Sequence, residues 1–225
     1  MLKPKRKITR DEIKKDSFVE SVFEVRSYIM DNSKLLSRIG GGIALLCIII
    51  AFFAQSSKNN IHEAEFLLTQ STLYLDNGDS QNAKILLQEL TDEYGSTEAG
   101  RLGGYHLAHI YLKNNDNELA LPLLLKYSNK GKSSFLLSSA NEAISNIYLQ
   151  KNDIKNAIKF QSSSIKNSNN KKTKALLRIK LAELYIKEGS LEKSLDILND
   201  LKNKQSEDVD VMNKIDYVSG LLMDK

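Results

Sequence analysis

The sequence predicts an all-α protein in which one transmembrane helix precedes an α-solenoid of four helix pairs and a final capping helix. The solenoid is indicated by tyrosines that recur at one fixed interval of 37 residues: Tyr74, Tyr111, Tyr148 and Tyr185. A fixed period of this size is typical of chains in which one unit recurs and stacks on its neighbours. The transmembrane helix is indicated by an uninterrupted apolar run over residues 39–54. Composition agrees, since the 225 residues are 41% hydrophobic and include only two prolines.

Residues 1–38 form the first predicted segment, a basic tail followed by an amphipathic helix. The stretch from Thr9 to Glu12 has the pattern of a capping box. Apolar residues then recur at mostly helical spacing, which predicts a helix from about residue 10 to 33. Such a helix suits the lipid interface or a partner protein, and the bases between Lys3 and Lys7 favour anionic headgroups. A topology signal with a solvated basic tail is the alternative.

Residues 39–57 are the predicted transmembrane helix. Arg38 and Lys58 bracket 19 uncharged residues, which span about 28 Å of a bilayer core of about 30 Å. A buried core helix is disfavoured because the run has no polar face, and a cleaved signal peptide because the leader is long and lacks an A-x-A-like site. Ten basic residues precede the run, whereas Lys58 alone lies in the 25 residues after it. The N-terminus is therefore expected in the cytoplasm and the repeats outside it.

Two further features lie within this span. Cys47 is the single cysteine, so an intramolecular disulfide is not possible, and a packing or lipid-facing position is expected for it. The three glycines Gly40–Gly42 leave a bare helix surface that another helix could approach closely. Contact with a partner helix and simple tolerance of the glycines both remain open.

Residues 61–225 are predicted to form the solenoid, each unit consisting of a helix, a tight turn and a second helix. Small residues recur nine positions after each tyrosine, where they let two helices cross closely: Ala83, Ala120, Ala157 and Ser194. Small residues also recur three positions before it: Ser71, Ala108, Ser145 and Ala182. A polar turn follows each tyrosine, beginning with Asn77-Gly78-Asp79 in the first unit. A bulky tyrosine at the end of the first helix can fill the space between helices while its hydroxyl stays hydrated.

This pattern of small residue, tyrosine, turn and alanine resembles the tetratricopeptide repeat (TPR). The resemblance covers Ile61 to about Gln205, with a period of 37 instead of the usual 34 and without the Trp and Pro of the family consensus. Four units in register strengthen it. The segment Asp210–Met223 has helical apolar spacing and is expected to close the stack, because terminal repeats need a cap.

The resemblance implies a concave groove lined by the first helix of each unit, at positions six and two before each tyrosine and one after it. These candidate partner-binding residues are Leu68, Thr72, Leu75, Tyr105, His109, Leu112, Glu142, Asn146, Leu149, Ile179, Glu183 and Ile186. The set is largely apolar and lacks the paired lysines with which some TPR proteins grip a C-terminal carboxylate. It suits extended or helical peptide segments, including unfolded chains. The alternative is that several of these residues pack only on neighbouring repeats.

Charge is distributed unevenly along the predicted solenoid. Residues 61–100 carry eight acidic residues and one lysine, a net charge of −7, whereas residues 151–187 carry ten bases and two acids, a net charge of +8. Such a pattern either steers a charged partner or belongs to a solvated helix surface.

The sequence does not predict an enzyme. His106 and His109 lie three residues apart on one predicted helix, but neither a cysteine nor an H-E-x-x-H motif accompanies them. Nucleophile-elbow, phosphate-loop and dinucleotide-binding motifs are absent from the sequence. We therefore expect no catalytic residues, no metal and no cofactor.

The order of basic leader, span and repeats resembles that of the YfgM-like ancillary subunits of the SecYEG translocon. That resemblance implies a single-pass protein of the bacterial inner membrane with a periplasmic TPR domain, which associates with the translocon, a periplasmic chaperone and nascent or unfolded chains. The six residues from Gln55 to Asn60 would link span and repeats over at most about 20 Å. The alternatives are a TPR scaffold in cell-envelope assembly or division, and a sensor whose cytoplasmic helix relays binding.

Overall fold

A computed structural model describes residues 17–204 and 208–223, and all regular secondary structure in these residues is helical. The chain divides into two compact units, with the boundary between Lys58 and Asn59. The predicted capping box from Thr9 to Glu12 lies outside the described residues.

The first unit contains helix α1 (Ser17–Asp31) and the beginning of helix α2 (Ser33–Asp76). Helix α1 ends two residues before the predicted end at residue 33, and its apolar side chains, such as Phe18 and Phe23, are exposed. Among the described helices, α2 is the one whose length and composition would allow it to cross a membrane. Its most apolar stretch is not buried by other parts of the protein. Gln55–Asn60 lie within α2, so the expected extended link is helical instead.

The second unit contains the remainder of α2 and eight further described helices. These are α3 (Ser80–Tyr94), α4 (Glu98–Lys113), α5 (Asn117–Lys130), α6 (Ser134–Gln150), α7 (Ile154–Asn167), α8 (Lys171–Glu188), α9 (Leu191–Lys204) and α10 (Val209–Met223). Helices α4 and α5, α6 and α7, and α8 and α9 pack as the second to fourth predicted pairs, and α2 and α3 of the first pair share one apolar cluster. The second helix of each of the first three pairs packs on the first helix of the next pair.

The tyrosine ladder has a backbone counterpart in the turn of every pair. Four residues after each tyrosine the chain adopts a positive φ between 59° and 89°, at Gly78, Asn115, Asn152 and Gly189. The next backbone N–H then donates to the tyrosine carbonyl oxygen, over 2.8–2.9 Å in all four units. This arrangement is the Schellman motif, which satisfies the free carbonyl groups at the end of a helix. The same helix ending therefore recurs every 37 residues.

Each pair is closed by small residues at the crossing of its two helices. Ala83, Ala120, Ala157 and Ser194 are fully buried, and Ser71, Ala108, Ser145 and Ala182 of the preceding helices are buried as well. In the third pair the Ser145 hydroxyl donates to the carbonyl oxygen of Ala157 at 2.8 Å, so the two helix backbones lie close together there. A larger side chain at these positions would separate the helices.

Most buried apolar residues of the second unit belong to two clusters, with Ala157 of α7 and Leu177 and Leu184 of α8 buried outside both. The first extends from Ala64 to Ile147 through α2–α6, and the second joins α8, α9 and α10. Between them, helix α7 buries polar side chains: Gln161 donates from Nε2 to the carbonyl oxygen of Leu177 at 2.8 Å, and Ser164 is fully buried. We call this region, Gln161 with Ser138 and Ser164, the polar seam.

Helix α10 closes the stack, as the sequence predicts for a terminal cap. Val211, Ile215 and Val218 are fully buried against α8 and α9, and they belong to one cluster with Ile179 and Ile186 of α8. Helix α10 thus covers the last apolar surface that the fourth pair would otherwise expose.

Candidate peptide-binding groove

A cavity of about 350 Å³ lies between α4 and α6, the first helices of the second and third pairs. It is lined by His109, Leu112, Asn115, Asn117, Ser139, Glu142, Ala143, Asn146, Ile147 and Gln150. A second cavity of about 320 Å³ lies between α6 and α8 and is lined by Phe135, Ser138, Ser139, Glu142, Ser168, Asn169, Asn170 and Thr173. Ser139 and Glu142 line both cavities. The two cavities therefore form one continuous depression along α4, α6 and α8, and we call this depression the groove.

The groove rests on the aromatic ring of Tyr105. This side chain is 7% exposed, and its hydroxyl donates to Ser139 Oγ at 2.9 Å, which connects α4 to α6. Its ring lies 4.5 Å from that of His109 and 5.1 Å from that of Tyr127, measured between centroids. The ring packing and the hydrogen bond hold Ser139 and His109 in place before any ligand arrives.

Electrostatically, the groove is close to neutral. Burial lowers the pKa of His109, and the neighbouring positive charge of Lys113 lowers it further, and both effects favour the neutral imidazole. Glu142 forms an ion pair with Lys180 of α8, across the groove. Since these charges are paired or neutral, hydrogen bonding and shape dominate what the groove can bind.

The side chains available for hydrogen bonding are mostly amides. Asn115, Asn146 and Gln150 line the first cavity, and Asn169 and Asn170 line the second. Three of these amides already use one end: Gln150 Oε1 accepts from Asn117, Asn169 Nδ2 donates to Ser134 Oγ, and Asn170 Oδ1 accepts from the Thr173 N–H. Each of the three therefore offers its other end to a ligand. An amide side chain both donates and accepts, so it can match the N–H and C=O groups of a peptide backbone independently of the peptide sequence. The groove is thus more polar than the largely apolar surface expected from the sequence, and it suits an extended segment.

Four of the twelve candidate groove residues line the groove, namely His109, Leu112, Glu142 and Asn146. Tyr105, Ile179 and Ile186 are instead buried, which corrects their expected place on an accessible surface. Tyr105 is covered by packing with its aromatic neighbours, whereas Ile179 and Ile186 are covered in the cluster that α10 completes. The groove therefore reaches the beginning of α8 at Thr173 but does not include Ile179 and Ile186.

The other five candidates lie elsewhere. Leu68, Leu75, Leu149, Thr72 and Glu183 are half-buried and do not line either cavity. Leu68 and Leu75 pack on the first apolar cluster, and the Thr72 hydroxyl donates to the carbonyl oxygen of Leu68 in its own helix. Burial raises the pKa of Glu183, an effect that nearby lysines, Lys180 first, oppose.

The four tyrosines differ in their surroundings. Tyr111 is buried, and its hydroxyl donates to Gln88 Oε1 at 2.9 Å. Tyr148 stacks on Phe160 with 5.5 Å between ring centroids, and the Lys193 ammonium lies 5.2 Å from the ring centroid of Tyr185. Tyr74 is 37% exposed. Their shared backbone role is therefore more uniform than the packing of their side chains.

The sequence analysis identified Asn146 but missed Ser139 and the other amides of the groove. The 37-residue repeat did contain one signal that could have identified Ser139. Ser139 stands where the neighbouring units have Leu102 and Leu176, so a hydroxyl replaces a leucine only in the third unit. Within the described part of the chain, no three His, Cys, Asp or Glu side chains gather as ligands for a metal would, and His106 and His109 have no third ligand beside them.

Comparison with known proteins places this fold among the TPR solenoids. Residues 138–171 match the family model of a tetratricopeptide repeat. The structure is similar to that of a MamA double mutant from strain RS-1 (14% identity, TM-score 0.52, 65% of this chain and 78% of the other). It is also similar to that of a Podosopora anserina protein assigned as a kinesin light chain with nearly identical TPR-like repeats (14% identity, TM-score 0.53, 69% and 84%).

No characterised protein sequence matches the chain. At such low identity the structural similarities establish the fold alone, and they confirm the predicted all-α solenoid of TPR-like helix pairs. The fold is therefore that of a TPR-type solenoid.

Proposed function

We propose that this chain is a single-pass membrane protein whose TPR-type unit holds extended polypeptide segments beside the membrane, as an ancillary subunit of a Sec-type translocon. The observation that carries the proposal is the groove along α4, α6 and α8, with amide side chains in both cavities. A translocon delivers unfolded chains of many sequences, and recognition through the peptide backbone suits such a client.

The membrane anchor is supported by helix α2. Residues 39–57 would cross about 28 Å as a helix, close to the thickness of a bilayer core. The apolar side chains of this stretch, Ile43, Leu46 and Phe53 among them, are exposed, which is costly in water and favourable in lipid. The excess of bases before the span favours a cytoplasmic N-terminus, with the repeats in the periplasm of a bacterium.

Site-specific photocrosslinking in native membranes tests the client and the partner. A photoreactive residue in place of Asn146, inside the groove, is expected to crosslink to secretory chains during export, and the translocon should copurify. The same residue in place of Ile85, which is exposed on α3 outside the groove, is the matched control and should not capture secretory chains. Crosslinks to cell-wall synthases alone would overturn the proposal and favour the cell-envelope scaffold.

Protease accessibility tests the orientation separately. In spheroplasts, where only the outer face of the inner membrane is exposed, added protease should degrade residues 61–225. Protection of this region until the membrane is dissolved would place the repeats in the cytoplasm and contradict the orientation.

A further inference from the structure

A cleft of about 580 Å³ lies between the end of α7, the beginning of α8 and the end of α9. Its floor is apolar and its rim is basic. The floor consists of Ile165, Ala175 and Leu201, and the rim consists of Lys171, Lys174, Arg178 and Lys204. We call this site the basic cleft.

The basic cleft is separate from the groove. Along α8 it uses Lys171, Lys174 and Arg178, which recur at helical spacing on one side of the helix. Thr173 lines the groove and Lys180 pairs with Glu142, and both lie on the opposite side of α8. A ligand in the cleft therefore leaves the groove free.

The positive charge of the cleft is only partly compensated. Asp200 Oδ2 lies 2.7 Å from Arg178 Nη1, and Asp200 Oδ1 lies 2.6 Å from Lys204 Nζ, so one carboxylate serves two cations. Lys204 and Arg178 accordingly hold the pKa of Asp200 below its usual value. Lys171 and Lys174 have no ion pair with any residue in the described ranges, and an excess of positive charge is left at the rim.

The placement of these lysines is also unfavourable for the helix that carries them. Helix α8 begins at Lys171 and has no acidic residue in its first turn, although the N-terminal end of a helix dipole favours negative charge. Lys172 in the same turn is compensated, since its Nζ lies 3.2 Å from Asp208 and 2.8 Å from Asp210. Lys171 and Lys174 have no such partner among residues 17–204 and 208–223. A local conflict of this kind is typical of a site that serves binding.

We propose that the basic cleft binds an acidic segment of a partner polypeptide, with carboxylates at Lys171 and Lys174 and an apolar side chain against Ile165 and Leu201. Charge complementarity selects an anionic occupant, and the apolar floor selects one that carries hydrocarbon between its charges. The concave shape favours a polypeptide segment over a lipid bilayer, because a flat bilayer surface would not reach the floor. The cleft thus gives the protein a second binding site, which is selective for polypeptide segments that combine acidic and apolar residues.

Binding of a defined peptide tests this proposal. The probe is a short fluorescein-labelled peptide rich in glutamate and leucine, titrated with the full chain in detergent micelles and followed by fluorescence anisotropy. The parent should bind it and should bind the peptide with glutamine in place of glutamate much more weakly. The double variant Lys171→Glu, Lys174→Glu should bind about tenfold more weakly or worse, because two interfacial ion pairs become repulsive. Affinity should fall as salt is added.

The matched control reverses two lysines of α7 outside the cleft, Lys155→Glu and Lys159→Glu, and should bind like the parent. Equal losses in both double variants would show non-specific charge attraction and overturn the site. Loss of binding in Asn146→Ala would place the peptide in the groove and also overturn it, whereas the groove's own clients can fail to bind without affecting this titration. If Lys171→Glu, Lys174→Glu abolishes binding to anionic lipid vesicles but not to the peptide, the ligand is a membrane surface and the proposal is wrong.

Folding of the double variant is checked by circular dichroism. Acidic residues in the first turn of α8 favour the helix, so it should melt no lower than the parent. The pair Lys171→Gln, Lys174→Gln provides a second, milder test, with a smaller loss of affinity expected in the same direction.

Discussion

Ser138 and Ser164 hydrogen-bond to each other's backbone across α6 and α7. The Ser138 hydroxyl donates to the carbonyl oxygen of Ser164 at 2.9 Å, and the Ser164 hydroxyl donates to that of Ser138 at 2.8 Å. Both side chains are buried. In the polar seam, then, two helices are joined by a reciprocal pair of buried hydrogen bonds, with each hydroxyl bonded to the other serine's carbonyl oxygen.

Removing this pair should reveal how strongly the two bonds depend on each other. Ser138→Ala and Ser164→Ala should each lower the free energy of unfolding by about 1 kcal/mol, as is typical for a buried neutral hydrogen bond. The double variant should lose less than the sum, because the bonds share one geometry. Urea denaturation of all three variants measures this. Ser162→Ala, in which the lost hydroxyl is exposed and bonds within its own helix, is the control and should change little. Strict additivity would show that the two bonds are independent.

The ladder tyrosines should differ in their contribution to stability. Tyr148→Ala should cost about 3 kcal/mol, because it removes a half-buried ring that stacks on Phe160 and packs on the first cluster. Tyr74→Ala should cost about half of that, since its side chain is 37% exposed. Thermal or urea unfolding measures both. Equal losses would mean that the common position along the repeat, and not the local packing, determines stability.

Two substitutions of the small residue at the helix crossing should change stability in opposite directions. Ala120→Leu should lower stability by about 1–3 kcal/mol, because Ala120 is fully buried between two helices and a larger side chain would be overpacked. Ser194→Ala should raise it by about 1 kcal/mol, because the buried Ser194 hydroxyl has no hydrogen-bond partner among the described residues. The melting temperatures of the two variants should thus move in opposite directions from the parent. A Ser194→Ala variant that melts lower would indicate that the hydroxyl is satisfied.

Two glycines with open space around them should respond differently to alanine. A Cβ atom at either Gly189 or Gly220 would meet nothing within 4 Å, so neither change creates a clash. Gly189 has φ of 89°, where an alanine is strained, and Gly189→Ala should cost about 1 kcal/mol. Gly220 lies inside α10, where Gly220→Ala should add about 0.5–1 kcal/mol of stability. Urea denaturation of both variants provides the comparison, and Gly220→Ala serves as the control for the first.

The two histidines of α4 should make stability depend on pH. Burial lowers the pKa of His106, and His109 lowers it further; burial followed by Lys113 lowers that of His109. The unfolded chain therefore binds protons more readily, so the stability is fully present above the usual value of 6.5 and is lost as pH falls through the lowered pKa values. Burial raises the pKa of Glu183, so this carboxyl group has the opposite effect. Its contribution to stability is present below pH 4.5 and is lost as the pH rises through the raised pKa.

Melting temperature measured between pH 5 and pH 7 checks this expectation. The parent should lose stability on acidification below about pH 6.5, and the variant His106→Gln, His109→Gln should lose less. His62→Gln, at an exposed position of α2, should follow the parent. An unchanged slope in the double variant would mean that other groups cause the pH dependence.

The helix pairs could be predicted because their signals are local. The tyrosine, the polar turn and the small residues each act within a few residues of their own position, and the Schellman turns repeat the same period. The groove could be predicted only in part. Whether Ile179 is accessible depends on α10, which lies far along the chain, and a repeat pattern does not say what covers its last member. The exposure of Tyr105 likewise depends on the rings around it and not on its place in the period.

The polar seam has a consequence for how the stack opens. Neighbouring units of a solenoid are coupled through the interface that they share. A hydrogen bond contributes only about 1 kcal/mol net to such an interface. Helices α8–α10 with their own cluster can therefore open as a separate foldon while α2–α6 stay folded, and hydrogen exchange would be fastest on their side of α7. The basic cleft bridges this division, since Ile165 belongs to α7 and the rest of its lining to α8 and α9. A ligand bound in the cleft would slow that opening. Slower hydrogen exchange of the backbone amides of α8 would then indicate that the ligand is bound.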